Sequence, residues 1–411
     1  MLPESKHHHR VWPDNVAIIG GGRWARVLTE VLYTIAPPWV KLSIHSLHNA
    51  KGMETWVSDR GLEKRIGVYS FLPSFPHKKS NAIIVVNAAS DHEKTVEWAL
   101  GQDCPVIVEK PFCLNFFAAQ RLANLALTRN LYLATAHVFL FASYVDAFSK
   151  LIADESEIVS VRVLWMDPQS ESRYGEVKSY DSALPVYADW LPHILSILGT
   201  FAEAPTQLGE KLEFLRGGSH LNIHLNYGQI PCEIELVRNG NSRQRIIEVN
   251  TRQKRITLDF SSEPGVIYTD DIAQCADPDW SDNPKPVAKM LEAFLIGAAT
   301  GVRDERLDIS IGLNANQVID QTATLYHDAL VPWLNNELAS HKDDISSDLC
   351  YALIEILKLK DSNSVITIEQ RIDYLYRHIK EHVKKSNVET KLCVVEAIEL
   401  IIKQGRASSF L

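Results

Sequence analysis

A glycine-rich segment placed directly after an apolar run most constrains the fold of this chain. Residues 16–19 read VAII, and residues 20–25 read GGGRWA. The second segment fits G-x-G-x-x-A, in which Gly20 permits a tight turn, Gly22 lets backbone N–H groups approach a pyrophosphate, and Ala25 keeps the next helix close to the strand. The N-terminus of that helix adds favourable partial positive charge. The pattern predicts a dinucleotide-binding unit, the alternative being a glycine turn that merely ends a strand.

The next 120 residues alternate short β-rich runs with helical stretches, as in a doubly wound parallel sheet. Because the loops after residues 19, 47, 87 and 108 then lie at one edge of the sheet, a ligand is expected there. A Rossmann domain is therefore predicted over residues 14–140. The predicted strands are 15–19, 40–47, 81–87, 105–108 and 131–136, and the predicted helices are 23–35, 50–60, 91–101 and 114–129.

The pattern changes after residue 140. Hairpin-like alternating runs separated by turn residues predict a largely antiparallel sheet, so residues 141–337 are expected to form a second, α/β domain. The predicted strands are 158–166, 208–215, 219–227, 230–239, 243–250 and 254–260, and the predicted helices are 144–153, 186–198, 285–300 and 312–337.

Residues 338–411 are predicted to form a helical C-terminal extension. Three amphipathic patterns cover 346–358, 367–386 and 388–403, and in the second of them Ile372, Leu375, Tyr376 and Ile379 recur at helical spacing. Two interpretations stay open: a bundle packed on its own domain or on a partner subunit, and a docking module for another protein.

Charge and cysteine content exclude several classes of protein. The chain has 411 residues and a formal charge of −9 without a long basic run, which argues against a nucleic-acid surface. Its six cysteines form no C-x-x-C pair and no zinc spacing, so neither a disulfide framework nor a metal site is expected. Because no run of about 18 apolar residues and no signal-peptide core is present, we expect a cytoplasmic protein that does not cross a membrane.

Two further motifs carry groups suited to catalysis. The tripeptide Glu109-Lys110-Pro111 closes a predicted strand, where the lysine can donate a hydrogen bond to a reacting C=X group and stabilise negative charge. Asp189 and His193 are four residues apart and share a helix face. An imidazole can carry a proton in either direction near neutral pH. The alternative for this second motif is a structural pair near a helix end.

The glycine fingerprint, the Glu-Lys-Pro tripeptide and the Asp-x-x-x-His spacing together resemble the glucose–fructose oxidoreductase / inositol dehydrogenase (Gfo/Idh/MocA) family of NAD(P)-dependent oxidoreductases. The resemblance covers roughly residues 14–335. It implies that Lys110 and His193 are catalytic, with His193 as the acid/base and Asp189 holding the substrate or the imidazole. It also implies that residues 141–337 bind the substrate and form a homodimer or higher homo-oligomer through the open face of their sheet.

The resemblance further places the segment after residue 81 beneath the nicotinamide. Ala88 stands where the family usually has proline, and His92 is interpreted as a helix-capping or core histidine rather than a catalytic one. No carboxylate follows the second strand until Glu54, so NADP(H) is favoured over NAD(H), because a carboxylate would repel a 2′-phosphate. The predicted cofactor-binding residues are Gly20, Gly22, Arg23, Trp24, Ala25, Ser46, His48, Asn87, Ala88, His92, Glu109 and Lys110.

We therefore expect an NADP(H)-dependent oxidoreductase that transfers hydride between nicotinamide C4 and a C=O/CH–OH group of a sugar-like or cyclic polar metabolite. One alternative is an NADPH-dependent imine reductase of secondary metabolism, similar to the thiazolinyl imine reductases. Another is a non-enzymatic NAD(P)-binding regulator with the tail as its interface. The predicted substrate residues are Trp165, Arg173, Tyr180, Tyr187 and His137, the last at a position where the family usually carries arginine or asparagine.

Overall fold

A six-stranded parallel sheet forms the N-terminal part of the chain, in the strand order β3-β2-β1-β4-β5-β6. Its strands are β1 (Asn15–Ile19), β2 (Lys41–His45), β3 (Ile66–Tyr69), β4 (Asn81–Val85), β5 (Val106–Val108) and β6 (Leu133–Thr135). Its helices are α1 (Arg23–Ile35), α2 (Ala50–Asp59), α3 (His92–Gly101) and α4 (Phe116–Thr128). The computed structural model describes residues 11–75, 80–155, 157–173, 175–178, 180–181, 184–202, 207–227, 229–340 and 347–356.

The central strands of this sheet are apolar because helices cover both of its faces. All five residues of β4 are buried. The strand order reverses between β1 and β4, which creates the crevice where α/β proteins bind their ligands. The predicted Rossmann fold is confirmed. Strand β1 has the predicted bounds, and the other four predicted strands are one or two residues shorter at one or both ends. Strand β3 was not predicted, because its four residues are too few to show a clear period.

The second sheet has eight strands in the order β10-β11-β12-β7-β13-β14-β15-β16. All its pairings are antiparallel except that of β7 with β12, which is parallel. The largely antiparallel sheet is confirmed, and the single parallel pairing was not foreseen. Its strands are β7 (Ile158–Pro168), β10 (Gln207–Leu215), β11 (His220–Tyr227), β12 (Ile230–Gly240), β13 (Gln244–Thr251), β14 (Arg255–Asp259), β15 (Val266–Thr269) and β16 (Ile272–Cys275).

A short hairpin lies outside both sheets. Its strands are β8 (Glu171–Arg173) and β9 (Glu176–Lys178), in a segment for which no strand was predicted. Three-residue strands carry almost no periodic signal, and the same holds for the four-residue strands β15 and β16, which were also missed.

Helices cover one face of the eight-stranded sheet. Trp165 from the sheet, Leu191, Leu330 and Leu349 share one buried cluster. Along each strand, side chains alternate between this covered face and the opposite face of the sheet. In β7, for example, Arg162 is exposed, whereas its neighbours Val161 and Val163 are buried. The helices after residue 140 are α5 (Ser143–Ala153), α6 (Val186–Leu198), α7 (Pro286–Thr300), α8 (Ile309–Ser340) and α9 (Ser347–Ile356).

Two of these helices join the domains. Met290 and Phe294 of α7 lie in the buried cluster of the first sheet together with Leu28 of α1. The start of α8 packs beside α4, where Asn316 Nδ2 donates a 2.6 Å hydrogen bond to the carbonyl oxygen of Cys113. The rest of α8 packs on α6 and β10. Packing therefore crosses the sequence division between 14–140 and 141–337.

Of the 338–411 extension, the structure describes residues 338–340, which end α8, and helix α9, which packs on the second domain. Leu349 and Ala352 are buried in the cluster beneath the sheet. The backbone of α9 also approaches Gly217, where an added Cβ would lie 2.0 Å from the Asp348 carbonyl oxygen. The patterns predicted at 367–386 and 388–403 lie outside the described residues. Within the described ranges, no helix is both long and apolar enough to cross a membrane.

Candidate active site

The glycine loop after β1 has the geometry of a phosphate cradle. A Cβ on Gly20 would lie 2.7 Å from the Val86 carbonyl oxygen, so only glycine lets the ends of β1 and β4 approach so closely. Gly22 is the N-cap of α1, and a Cβ there would meet nothing within 4 Å. The first turn of α1 carries no acidic residue. These features fit a pyrophosphate against the N-terminus of α1.

Asn87, which follows strand β4, carries a hydrogen-bond acceptor that no described residue pairs with. Asn87 Nδ2 donates a 2.7 Å hydrogen bond to Thr95 Oγ1, while its Oδ1 atom is buried without a hydrogen-bond partner among the described residues. Buried polar atoms are nearly always paired, so this oxygen is suited to a donor group of a ligand. Ala88, the next residue, is extended and leads into a short 3-10 turn.

His92 connects two of the loops at this edge. Its Nδ1 atom lies 2.8 Å from the Pro111 carbonyl oxygen, and its Nε2 atom lies 3.2 Å from that of Asn87. The ring is buried, and burial lowers the pKa of His92 against the effect of these two carbonyls.

The two predicted cofactor-binding residues that follow β2 differ in exposure. Ser46 is buried, and its Oγ atom accepts a 3.0 Å hydrogen bond from the Asn49 N–H. Asn49 Nδ2 in turn donates a 2.7 Å hydrogen bond to the Gly21 carbonyl oxygen, which connects this loop to the glycine loop. His48 is exposed. A charged group that meets a bound ligand at this edge is therefore better placed at position 48 than at position 46.

The Glu-Lys-Pro tripeptide is attached to helix α1. Trp24 Nε1 donates a 2.6 Å hydrogen bond to Glu109 Oε1, and Glu109 Oε2 accepts 3.3 Å from the Lys110 N–H. Burial raises the pKa of Glu109, although the Trp24 and Lys110 contacts oppose this. The Lys110–Pro111 peptide is cis. These contacts direct the Lys110 side chain towards the second domain.

Lys110 and Asp189 form an ion pair between the domains. Lys110 Nζ lies 2.6 Å from Asp189 Oδ1 and 2.9 Å from the Asp189 carbonyl oxygen. Asp189 Oδ2 accepts a 2.9 Å hydrogen bond from Arg238 Nη2. Burial favours the neutral acid, but the two cations prevail and hold the pKa of Asp189 well below its usual range. Asp189 is therefore a carboxylate at neutral pH.

Arg238 was not among the predicted site residues. It lies on β12 directly after Leu236 and Val237, and its side chain is only 1% exposed. A buried arginine requires anionic or carbonyl partners, so its position next to an apolar pair in a strand was an available signal.

His193 lies beside this pair on the same face of α6. Its ring stacks on Trp165 at 6.1 Å between centroids and meets Phe139 edge-on at 5.0 Å. The Nδ1 atom is buried without a hydrogen-bond partner in the described part of the chain. Burial and then the Lys110 ammonium lower the pKa of His193 well below its usual value, against the opposing effect of Asp189. The imidazole is thus neutral and able to accept a proton.

A second buried histidine approaches from the first domain. His137 follows β6, and neither of its ring nitrogens makes a well-formed hydrogen bond within the described ranges. Burial lowers the pKa of His137 to about 4, with Lys110 acting in the same direction and the nearby Pro192 carbonyl opposing it. It too is neutral at physiological pH.

A pocket opens next to Asp189. It presents three carboxylates, one guanidinium and two aromatic rings, and it is lined by Asp167, Pro168, Gln169, Glu171, Tyr180, Asp189, Trp190, Arg238 and Asn239. Of the predicted substrate residues, Tyr180 lines this pocket, whereas Trp165 lies behind it with the Arg245 guanidinium 4.3 Å from its ring centroid. Tyr187 is buried against Tyr326.

The β8–β9 hairpin is attached to the start of α1. Arg23 Nη2 donates a 2.7 Å hydrogen bond to the Arg173 carbonyl oxygen, and Arg26 forms a salt bridge with Glu176. The Arg173 side chain lies 3.3 Å from Glu263. The hairpin therefore connects the glycine-loop helix to the second domain.

The parallel sheet and the glycine loop at its switch point define a nucleotide-binding Rossmann domain, and the lysine–aspartate pair lies at the same edge of the sheet. Residues 15–137 match the model of the oxidoreductase family GFO_IDH_MocA, described as an NAD-binding Rossmann fold. This match over residues 15–137 confirms the resemblance to the Gfo/Idh/MocA oxidoreductases seen in the sequence.

Solved structures share the fold over most of the chain. UDP-N-acetylglucosamine 3-dehydrogenase GnnA from Acidithiobacillus ferrooxidans is 17% identical with a TM-score of 0.62, covering 77% of this chain and 98% of its own. KijD10, a 3-ketoreductase from Actinomadura kijaniata solved with NADP, is 18% identical with a TM-score of 0.59. That alignment covers 76% of this chain and 97% of the KijD10 chain.

An oxidoreductase from Agrobacterium radiobacter, solved with NAD+, L-tartaric acid and magnesium, is 14% identical with a TM-score of 0.63. That alignment covers 76% of this chain and 96% of the other chain. Identities this low establish the shared fold only. No curated protein sequence matches the chain.

Proposed function

We propose that this protein is an NADP(H)-dependent oxidoreductase that interconverts a secondary hydroxyl and a carbonyl group on a sugar-like metabolite. The observation that carries the proposal is the Lys110–Asp189 ion pair beside the neutral imidazole of His193, at the sheet edge where the glycine loop ends. This arrangement supports a mechanism in which a proton acceptor and a hydrogen-bond donor act on the same substrate oxygen.

A nicotinamide bound at this edge would accept or supply the hydride at C4. In the oxidative direction, His193 takes the proton from the substrate hydroxyl as the carbinol carbon loses hydride. The Lys110 ammonium donates a hydrogen bond to the same oxygen and stabilises the negative charge that develops there. Asp189 holds Lys110 in place, and in the reductive direction His193 returns the proton. Gly20, Gly22 and Asn87 would hold the cofactor.

The pocket supports a polyhydroxylated substrate. Asp167 and Glu171 pair with Arg243, and Asp167 also pairs with Arg245, so the carboxylates that line the pocket are held in place as hydrogen-bond acceptors. Such acceptors suit a ligand rich in hydroxyl donors. Tyr180, which is 37% exposed, offers ring surface to the C–H groups of a sugar. Two structural neighbours, a UDP-N-acetylglucosamine 3-dehydrogenase and a 3-ketoreductase, support a sugar substrate oxidised or reduced at a ring carbon.

The preference for NADP(H) is supported by the end of β2. No carboxylate follows that strand before Glu54, and the exposed His48 and Lys51 are suited to a 2′-phosphate. Among the structural neighbours, one was solved with NADP and another with NAD+.

We also propose a homodimer through the face of the eight-stranded sheet opposite the helices. The cross-strand pair Leu164 and Ile246 lies on that face and is only partly buried, and Val159 is exposed nearby. Apolar groups at a solvated sheet face are suited to pairing with a second copy of the same face.

The experiment that tests the function is a panel assay that follows NADPH absorbance. The substrates are UDP- and TDP-linked sugars and their 3-keto derivatives, free sugars, cyclic polyols and cyclic imines. We expect turnover with sugar hydroxyl or keto compounds. Turnover with the imines alone would favour an imine reductase, and tight NADPH binding without any turnover would favour a regulator.

A further inference from the structure

The tail helix α9 contacts the reaction centre through a buried arginine. Arg238 Nη1 donates hydrogen bonds of 3.0 Å to the Tyr351 hydroxyl and 2.7 Å to the Leu184 carbonyl oxygen. Arg238 Nη2 donates a 2.9 Å hydrogen bond to Asp189 Oδ2, and Asp189 Oδ1 accepts a hydrogen bond from Lys110 Nζ. A continuous set of hydrogen bonds therefore runs from Tyr351 on α9 to the ammonium at the end of β5.

The position of Tyr351 is determined by the packing of α9. Leu349 and Ala352, on either side of it, are buried in the core of the second domain. One turn further on, Glu355 accepts a short hydrogen bond from the buried Tyr326 hydroxyl. Held at both ends, the helix places the Tyr351 ring 6.4 Å from that of Tyr180, which lines the pocket.

A guanidinium takes its orientation from its acceptors. Its donors form a rigid planar fork, so a group bound on one arm decides where the other arm points. The Arg238 guanidinium lies 4.5 Å from the Tyr180 ring centroid, a contact that permits rotation in its own plane. The acceptors on Nη1, Tyr351 and Leu184, therefore determine how well Nη2 meets Asp189.

We propose that Tyr351 is a positioning residue of the reaction centre: its hydroxyl orients Arg238, which holds the Asp189 carboxylate on Lys110. The extension after residue 337 is then part of the catalytic apparatus of this chain rather than a separate appendage. This inference rests on the proposed function for its kinetic consequences, while the geometry it assigns to Tyr351 can be tested without turnover.

The test compares Tyr351→Phe with a matched control, Tyr268→Phe, on strand β15 away from the pocket. Tyr351→Phe keeps the ring and removes the hydroxyl. We expect kcat to fall roughly tenfold, the factor typical of losing a hydrogen bond to a charged group. We expect unchanged NADPH affinity and a melting temperature within about 2 °C of the wild type. The control is expected to match the wild type in all three measurements.

A double-mutant cycle separates positioning from a general structural role. In an Asp189→Asn background, Tyr351→Phe is expected to have no further effect on kcat, because its influence passes through the Asp189 carboxylate. Additive losses, or a Tyr351→Phe variant with wild-type kcat, would overturn the proposal.

The crystal structure of Tyr351→Phe gives a readout that does not depend on activity. We expect the Arg238–Asp189 contact to lengthen beyond hydrogen-bonding distance or the carboxylate to rotate away from Lys110. If the wild type turned over no substrate, the proposed function would fail, and this structure would still decide the inference: an unchanged Lys110–Asp189–Arg238 arrangement would overturn it.

Discussion

The Nζ atom of Lys110 lies 2.6 Å from Oδ1 of Asp189, and this contact joins the end of β5 in the first domain to α6 in the second. Both side chains are more than four-fifths buried, with exposed fractions of 16% and 18%. A buried ion pair of this kind adds little net stability, because its attraction mainly offsets the cost of desolvation, but removing one partner leaves an uncompensated charge. We therefore expect this ion pair to contribute to catalysis, by holding Lys110 in a fixed position, rather than to stability.

Replacing Lys110 with alanine is expected to lower kcat by about 10²–10⁴-fold while NADPH affinity stays within about threefold, because the ammonium acts on the substrate oxygen. Stopped-flow absorbance and fluorescence titration measure the two quantities. Lys94→Ala, at an exposed position on α3, is the matched control. A Lys110→Ala enzyme with normal kcat would remove this lysine from the mechanism.

The pH dependence of hydroxyl oxidation is expected to reflect His193. Only the neutral imidazole accepts a proton, and its pKa in the protein lies well below 6.5. The rate constant kcat/KM should therefore stay level as pH falls to 6.5 and decline only at lower pH. His193→Gln should remove that decline and most of the rate, whereas His327→Gln, exposed on α8, should change neither. A decline already present above pH 6.5 would contradict the assignment.

Cofactor choice is expected to depend on the exposed residue His48. His48→Asp places a carboxylate near the expected 2′-phosphate, so NADPH affinity should fall about tenfold or more relative to NADH. The same replacement at Ser46 is a poorer test, because that residue is buried and packs against Gly21. Fluorescence titration with both cofactors measures the ratio, and His327→Asp is the control. Equal affinities in the wild type, unaltered in the variant, would argue against NADP(H) selectivity.

The stability of the second domain is expected to fall as pH rises through the titration of Glu355. Burial raises the pKa of Glu355 to about 7, against the Tyr326 hydrogen bond and the Arg238 charge. The native state therefore keeps this proton up to about pH 7, whereas the unfolded chain releases it near the ordinary value of about 4.5, so stability is lost between these limits. The loss is on the order of 3 kcal/mol.

Glu355→Gln removes that titration. The variant should melt several degrees above the wild type at pH 8 and close to it at pH 5, as measured by calorimetry. Glu54→Gln, at an exposed position on α2, should track the wild type at both values. A melting difference that is independent of pH would show that Glu355 does not carry this titration.

The outer face of the eight-stranded sheet is expected to form a dimer interface. Ile246→Arg, in the middle of that face, should convert dimer to monomer, as measured by light scattering after gel filtration. Ile272→Arg, on the exposed edge strand β16, introduces the same charge elsewhere and should leave the mass unchanged. A monomeric wild type would rule the interface out.

The sequence by itself determined the elements whose signals are local. The strand, glycine turn and helix at residues 15–35 follow from an apolar run, three glycines and a helical period, and the structure has them at the predicted positions. The shared face of Asp189 and His193 follows from their four-residue spacing on a helix. Such features depend only on residues close together in the chain.

Tertiary structure alone decided which of these groups meet. Lys110 and Asp189 are separated by 79 residues, Asp189 and Arg238 by 49, and Arg238 and Tyr351 by 113. Their approach depends on how the two sheets pack and on where α9 docks, which no local period encodes. The return of α7 to the first domain and the parallel β7–β12 pairing are likewise long-range contacts. They form because separate apolar surfaces bury one another, and a pattern within a single segment does not specify its partner.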